Sequence, residues 1–285
     1  MIPRSTPYVW QPQSPISVDR GNSLTDRLTL AWTPNVSVGT DAAFNNAIPT
    51  YSIGGTFDTS IKGRNYTAVA GSSGGLTFSG RLKQVISAGS TSYTILSLSQ
   101  PFTSSQRGSF LTNGTDGSPP WAQQAFLANA ANGTNFSGKI ELNEYDNVQN
   151  FLLNSTNIVV DGNWHVFVAM RTSATTGLMF VDGVETPSTS SGSTTANVLA
   201  GDTRISGAQG STRTLIYPQA LLLVWDRILS REEVARISAN VWQIFSIRRS
   251  TPVSSVAIIK PTLTAAFANS ITTSTAMPQV TFTRP

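Results

Sequence analysis

The run from Ala220 to Trp225 contains no polar residue, and the run from Trp164 to Met170 is broken only by His165. A half-exposed strand alternates apolar and polar residues, so short uninterrupted runs of this kind belong to strands covered on both faces. Each run is therefore expected in the middle of a sheet. Leu178 to Val181 leads into Asp182-Gly183, the residue pair favoured in a two-residue turn because both central positions need positive φ. We read Trp164–Met170 and Leu178–Val181 as a hairpin with Asp182-Gly183 as its turn.

Upstream, the chain reads as short strands between Gly, Asn and Pro clusters. These are Leu28–Trp32, Leu76–Phe78, Tyr93–Leu98, Ser109–Leu111 ending in an Asn113-Gly114 turn, Gly138–Leu142 and Asn157–Val160. Short strands so punctuated indicate an all-β sandwich. Residues 119–133 have the composition of one or two helical turns, and 185–203 are a low-complexity stretch read as a long polar loop. After Arg204–Gly207, Thr214–Tyr217 and the Ala220–Trp225 run comes one helix. Ser230 is placed as its N-cap with Glu233 three residues on, a capping box, and Leu229 and Val234 occupy the staple positions. Val234, Ile237 and Val241 recur at helical spacing, and Trp242-Gln243-Ile244-Phe245 should pack under or over the sheet.

Composition narrows the function classes. Of 285 residues, 39% are hydrophobic and only 12% charged, against ~25% charged in ordinary soluble domains. That length suits one β domain of roughly 200–250 residues with extensions. A low-charge surface rich in Ser, Thr, Asn and Gly suits contact with other subunits or with sugars. The net charge of +4 is spread along the chain without the basic, aromatic-interleaved stripe of a nucleic-acid binder, so no nucleic-acid partner is expected. The absence of cysteine excludes disulfides and thiol chemistry. No apolar run approaches the ~18 residues of a membrane span, so no membrane partner is expected. The N-terminus lacks the apolar core of a secretion signal, which points to synthesis in a cytoplasm. The N-x-Ser/Thr sequons, Asn154 among them, are then the chance product of an Asn-, Ser- and Thr-rich chain.

Residues 1–20 hold four prolines around Tyr8, Val9 and Trp10, which favours an extended arm with large apolar groups that must dock. Residues 250–285 carry Lys260 and Arg284, no acids, and Thr or Ser alternating with large apolar residues. Such a tail needs a sheet edge, its own or a partner's.

Taken together, Gly162–Met170, Gly177–Val184, Ile205–Gly207 and Ala220–Val234 resemble the laminin-G-like branch of the concanavalin A-like jelly rolls, over roughly residues 20–245. In that family a Trp-His strand, an aromatic-Val-Asp-Gly hairpin and a strand running into a Leu-Ser-x-x-Glu helix start follow in this order. The resemblance implies an all-β jelly-roll sandwich with one short C-terminal helix. An extended arm would span residues 1–19, the sandwich 20–248 and a strand-rich extension 249–285. The phrase Trp242-Gln243-Ile244-Phe245 followed by Arg248-Arg249 is similar to laminin-G-like proteins of tailed bacteriophages. That implies a non-enzymatic virion structural protein, either capsid decoration or part of a fibre or tail. It would be a homo-oligomer bound to other virion proteins, placed in the virion after synthesis in the host cytoplasm. Tyr8, Val9, Trp10, Val256, Ile258, Ile259, Phe267, Val280 and Phe282 are the candidate assembly residues. The alternative is a carbohydrate-binding adhesion module for a host surface glycan.

Catalytic candidates are few. Jelly-roll glycosidases set two carboxylates ~5–10 Å apart across a cleft. The dense acidic cluster here is Glu141, Glu144 and Asp146, whose spacing of three then two puts Glu141 and Glu144 on opposite faces of a regular strand. His165, the single histidine, is expected to be structural, since no G-x-S-x-G elbow accompanies it. No enzyme activity and no cofactor are expected. Calcium is common at the rim of laminin-G-like sandwiches. Asp146, Asp182 and Asp202 are its candidate ligands, with no spacing that selects among them.

Overall fold

Strands with two covered faces belong at the centre of a sheet, and three such strands lie side by side here: Tyr93–Ser99, His165–Arg171 and Gln219–Trp225. The structure is a computed structural model. It describes residues 16–33, 40–41, 46–47, 57–61, 64–69, 76–77, 85–86, 89–100, 107–115, 122–129, 138–146, 148–157, 161–192, 203–205 and 219–247, with side chains in part of these. All of them fall within one contact unit, Met1–Arg248.

The described strands form two large antiparallel sheets. In the first, Val184–Thr186, Gly177–Val181, His165–Arg171, Tyr93–Ser99, Gln219–Trp225, Leu28–Trp32, Thr40–Asp41 and Asn46–Ala47 follow in spatial order. Arg64–Val69 joins this sheet at Gln219, and Phe57–Ile61 pairs with Arg64–Val69. The second sheet runs Ser188–Gly192, Val148–Ser155, Lys139–Asp146, Ala122–Asn129, Arg107–Thr115, Thr203–Ile205 and Leu76–Thr77. A short ribbon pairs Ile16–Val18 with Phe245–Ile247.

Two apolar layers explain the unbroken runs. Between the sheets, Ile95, Phe167 and Val224 meet Phe110, Leu142 and Phe151 of the second sheet, and the rings of Phe110 and Phe167 stack with centroids 5.7 Å apart. On the other face of the first sheet, Leu96, Val168 and Leu223 pack under Val234, Ile237 and Trp242 of the helix Arg231–Ala239 and the turn after it. Each side chain of this size contributes ~1.5–3 kcal/mol on burial, so both faces stabilise the sheet. A bulge at Thr29 returns Leu28 to the helix-covered face, and the Thr29 hydroxyl donates to the carbonyl of Val224 at 3.1 Å. The helix begins as expected: Ser230 Oγ accepts from the Glu233 amide at 3.2 Å, and the Glu233 carboxylate accepts from the Ser230 amide at 2.9 Å.

Several expectations are corrected. Asp182-Gly183 is a two-residue turn with φ of 52° and 82°, but it joins Gly177–Val181 to Val184–Thr186; the loop Thr172–Thr176 closes the hairpin with His165–Arg171. Residues 122–129 form a strand instead of helical turns. Paired along both edges, they gain two ladders of hydrogen bonds, which outweigh the helix preference of Ala and Gln. Asn113 and Gly114 lie inside the strand Arg107–Thr115, because pairing with Gln123 and Gln124 continues past them. Within the polar stretch after Glu185, Ser188–Gly192 is a strand at the edge of the second sheet, where Thr and Ser serve an exposed edge well. Of the strand expected over Asn157–Val160, Asn157 follows the strand Val148–Ser155 as a bend, and 158–160 lie outside the described residues.

Candidate functional site

Strand alternation decides what the acids can do. Along Lys139–Asp146, Ile140, Leu142 and Glu144 face the first sheet, so Glu141 and Asn143 face away from it. Glu144 is fully buried between the sheets. The Tyr93 hydroxyl donates to its Oε1 at 2.5 Å, and Arg171 Nη1 forms an ion pair with its Oε2. Arg171 is itself fully buried, donates to the carbonyls of Ser173 and Ala174, and lies 4.6 Å above the Phe151 ring. Burial pushes the Glu144 carboxyl above its usual range, against the pull of Tyr93 and Arg171. This group ties the sheets together and meets no solvent.

Glu141 sits across the sheet from Glu144, and its Oε1 accepts from Asn143 Nδ2 at 2.9 Å. A sugar ring cannot reach both carboxyls, so the two cannot act as a glycosidase pair. The side chain of Asp146 lies outside the described residues.

His165 lies at the start of its strand, half-buried, and binds two aspartates. Nδ1 meets Asp182 Oδ2 at 2.8 Å and Nε2 meets Asp161 Oδ1 at 3.0 Å. Asp182 Oδ1 accepts from the Val166 amide at 2.9 Å, and Asp161 Oδ1 also accepts from the Asn163 amide at 2.8 Å. With a carboxylate on each nitrogen, the imidazole donates from both, which is the cationic form. Burial alone would lower its pKa; Asp182 and then Asp161 outweigh that and hold it above the usual histidine value. Burial likewise disfavours the Asp161 anion, but hydrogen bonds from Asn163 and His165 outweigh it and hold this carboxyl below its usual value. The cluster fastens the 161–163 loop to the Asp182-Gly183 turn, and both imidazole nitrogens are taken up by its two aspartates. Both oxygens of Asp182 are engaged within the chain, which argues against a calcium ligand there. Asp202 lies outside the described residues, and among those described no group of three or more His, Asp or Glu could hold a metal ion. Tyr8, Val9, Trp10, Val256, Ile258, Ile259, Phe267, Val280 and Phe282 also lie outside them.

What the sequence reading missed is the outward face of the second sheet. Register sets Glu141 opposite Asn154 and Asn143 opposite Leu152. On the edge strand, Asn154 is opposite Thr189 and Leu152 opposite Ser191. Directly opposed residues share a face with Cβ atoms ~4.5–5.5 Å apart, so these six form one patch. Its inner end is buried, with Glu141 at 2% and Asn154 at 6% exposure, while Thr189 and Ser191 are exposed. The Oδ1 atoms of Asn143 and Asn154 are buried without a hydrogen-bond partner. The available signal was the alternation Glu141-Leu142-Asn143 against Leu152-Leu153-Asn154. Burial of Asn154 also takes its sequon out of reach of glycosylation in the folded chain.

This two-sheet, helix-capped arrangement is a jelly-roll β-sandwich. No family model and no curated protein matches the sequence. Solved structures do match. Domain 4 of the arabinanase AbnA from Geobacillus stearothermophilus, solved with arabinotriose, gives a TM-score of 0.53 at 12% identity, covering 74% of this chain and 98% of that domain. The binding domain of Paraclostridial Mosquitocidal Protein 1 gives 0.55 at 10% identity, and the receptor-binding domain of botulinum neurotoxin D gives 0.51 at 11%. The matches to these two cover 76% of this chain and about half of each toxin domain, 52% and 53%. At such identities the likeness establishes the fold, and the two toxin neighbours are binding domains.

Proposed function

We propose that this chain is a non-enzymatic binding domain that recognises a carbohydrate on a cell surface. The observation that carries the reading is the separation of Glu141 from Glu144 by the sheet itself. The dense acidic cluster that could suggest hydrolysis is split between a sealed interior and an outward polar face, leaving binding without bond cleavage. The fold supports it, since one similar sandwich was solved with an oligosaccharide and two others are toxin binding domains. The test is a glycan array with a parallel assay for released reducing sugar. Saturable binding without release is expected; a flat array, or sugar release abolished by Glu141→Gln, would refute it.

The setting we propose is a bacteriophage particle. The phrase Trp242-Gln243-Ile244-Phe245 and the apolar, acid-free tail support it, with the arms as the assembly elements. Mass spectrometry of purified particles should find the chain, and deletion of residues 250–285 should change its oligomeric state or incorporation. Normal incorporation of the truncated chain would remove the tail from assembly.

A further inference from the structure

We propose that the edge strand Ser188–Gly192 is an assembly surface, and that it pairs antiparallel with the same strand of a second copy of this chain, about a two-fold axis at Ser190. The second sheets of the two copies then run on as one. The proposal depends on neither the carbohydrate reading nor the arms.

An open sheet edge templates pairing with another chain, so natural edges are blunted by brevity, charge, proline, bulges or a cover. The other described ends of the two large sheets follow this rule. Leu76–Thr77 and Asn46–Ala47 have two residues each, and Val184–Thr186 has three and carries the Glu185–Arg231 ion pair. Phe57–Ile61 is longer but contains Asp58 and a register shift. Ser188–Gly192 has none of these devices. It is five residues long, uncharged and free of proline, pairs with Phe151–Ser155 without a register shift, and is exposed from Thr189 to Gly192. Its backbone direction follows from one bond. The Thr156 amide donates to the Pro187 carbonyl at 2.8 Å, so that carbonyl points to the inner neighbour. Alternation then turns the amides and carbonyls of Thr189 and Ser191 inward, and those of Ser188, Ser190 and Gly192 outward. Among the described residues none hydrogen-bonds to these outward groups. With the axis at Ser190, Ser190 exchanges two hydrogen bonds with its twin, and Ser188 exchanges two with the second copy's Gly192 at each end. Thr189 falls opposite the second copy's Ser191, and no like charges are opposed. The Ser, Thr and Gly side chains of this edge are too small to shape the side-chain pockets by which strand-adding domains select a foreign peptide. Self-matched register supplies the specificity instead, which favours a twin. One strand pair falls short of the ~1,200 Å² of a stable interface, so this contact alone is weak, with a dissociation constant on the order of 100 µM.

Sedimentation velocity of the full chain up to about 1 mM should show self-association. Ser190→Pro removes an outward amide, which an edge strand tolerates, and should weaken the association about tenfold with the thermal midpoint little changed. Thr189→Pro removes an inward amide and should lower the midpoint instead. The chain has no cysteine, so single cysteines report the register. Thr189→Cys mixed with Ser191→Cys should give disulfide-linked heterodimers under mild oxidation, because the opposed Cα atoms lie ~4.5 Å apart. Thr189→Cys alone should not link, since its twin lies two residues along, beyond the ~7 Å that a disulfide spans. A chain that stays monomeric at about 1 mM, or an oligomer that Ser190→Pro leaves intact, overturns the proposal. Linkage of Thr189→Cys alone as readily as the mixture overturns the register. The glycan array reads the carbohydrate proposal separately, so either can fail without the other.

Discussion

Replacing Glu144 by leucine should be among the most damaging single changes in this domain. Glu144 and Arg171 are both fully buried, and their pairing links the two sheets. Without the carboxylate, Arg171 Nη1 loses its counter-charge, and the contacts left to the guanidinium among the described residues are the carbonyls of Ser173 and Ala174 and the Phe151 ring. Breaking one side of a buried ion pair costs ~3–5 kcal/mol, and loss of the charged hydrogen bond from the Tyr93 hydroxyl adds ~1–3 kcal/mol that overlaps with it. At ~2–4 °C per kcal/mol for a domain of this size, the thermal midpoint should fall by about 8–20 °C. Urea unfolding followed by tryptophan fluorescence and far-ultraviolet circular dichroism measures the loss. The same reasoning predicts rescue. In Glu144→Leu/Arg171→Met/Tyr93→Phe no charge is left unpaired, and the loss should shrink to about 2 kcal/mol, the residue being the two loop carbonyls. A single variant within ~1 kcal/mol of wild type, or a triple variant no better than the single, would refute the account.

Other predictions follow from the turn, the helix and the histidine. The folded pKa of His165 is raised, so its contribution is fully present below the unfolded value and is lost as pH rises through the folded one. The thermal midpoint of wild type should therefore fall over that window, while His165→Gln loses this step; the single imidazole can be titrated by NMR, and an unshifted histidine would count against the two-aspartate clasp. Asp161, held low, contributes in the opposite sense, its part being lost as pH falls through its folded value. Gly183→Ala should destabilise by ~1–3 kcal/mol, because φ is 82° and the new Cβ would lie 3.1 Å from Ser238 Cβ and 3.3 Å from Ala235 Cα; an unchanged urea midpoint would show that the turn does not rest on the helix. Ser230→Ala should cost ~1 kcal/mol through loss of the cap, with Ser230→Asp largely restoring it in the same titration.

Much of the architecture was legible because it is written in local patterns. Ala220–Trp225 and Trp164–Met170 have both faces apolar, and the structure covers both, one with the second sheet and one with the helix. The Ser230–Glu233 box and the positive-φ pair Asp182-Gly183 are chemical requirements of a cap and a turn, so those residues announced them. Face alternation already set Glu141 against Glu144. Other features were not local. Ala122–Asn129 carries helix-favouring residues, and only its two neighbours along the sheet make it a strand. Ser188–Gly192 reads as loop until the partner Phe151–Ser155 gives it an edge. The Tyr93–Glu144–Arg171 link joins residues far apart in sequence on two sheets, and the Glu141–Asn154–Thr189 row needs the register of three strands. The sequence alone determined which segments must be covered, turned or capped, because those demands arise within a few residues. Tertiary structure alone decided which polar groups are sealed inside and which face outward together, because hydrogen-bond register and sheet packing act between residues with no shared local signal.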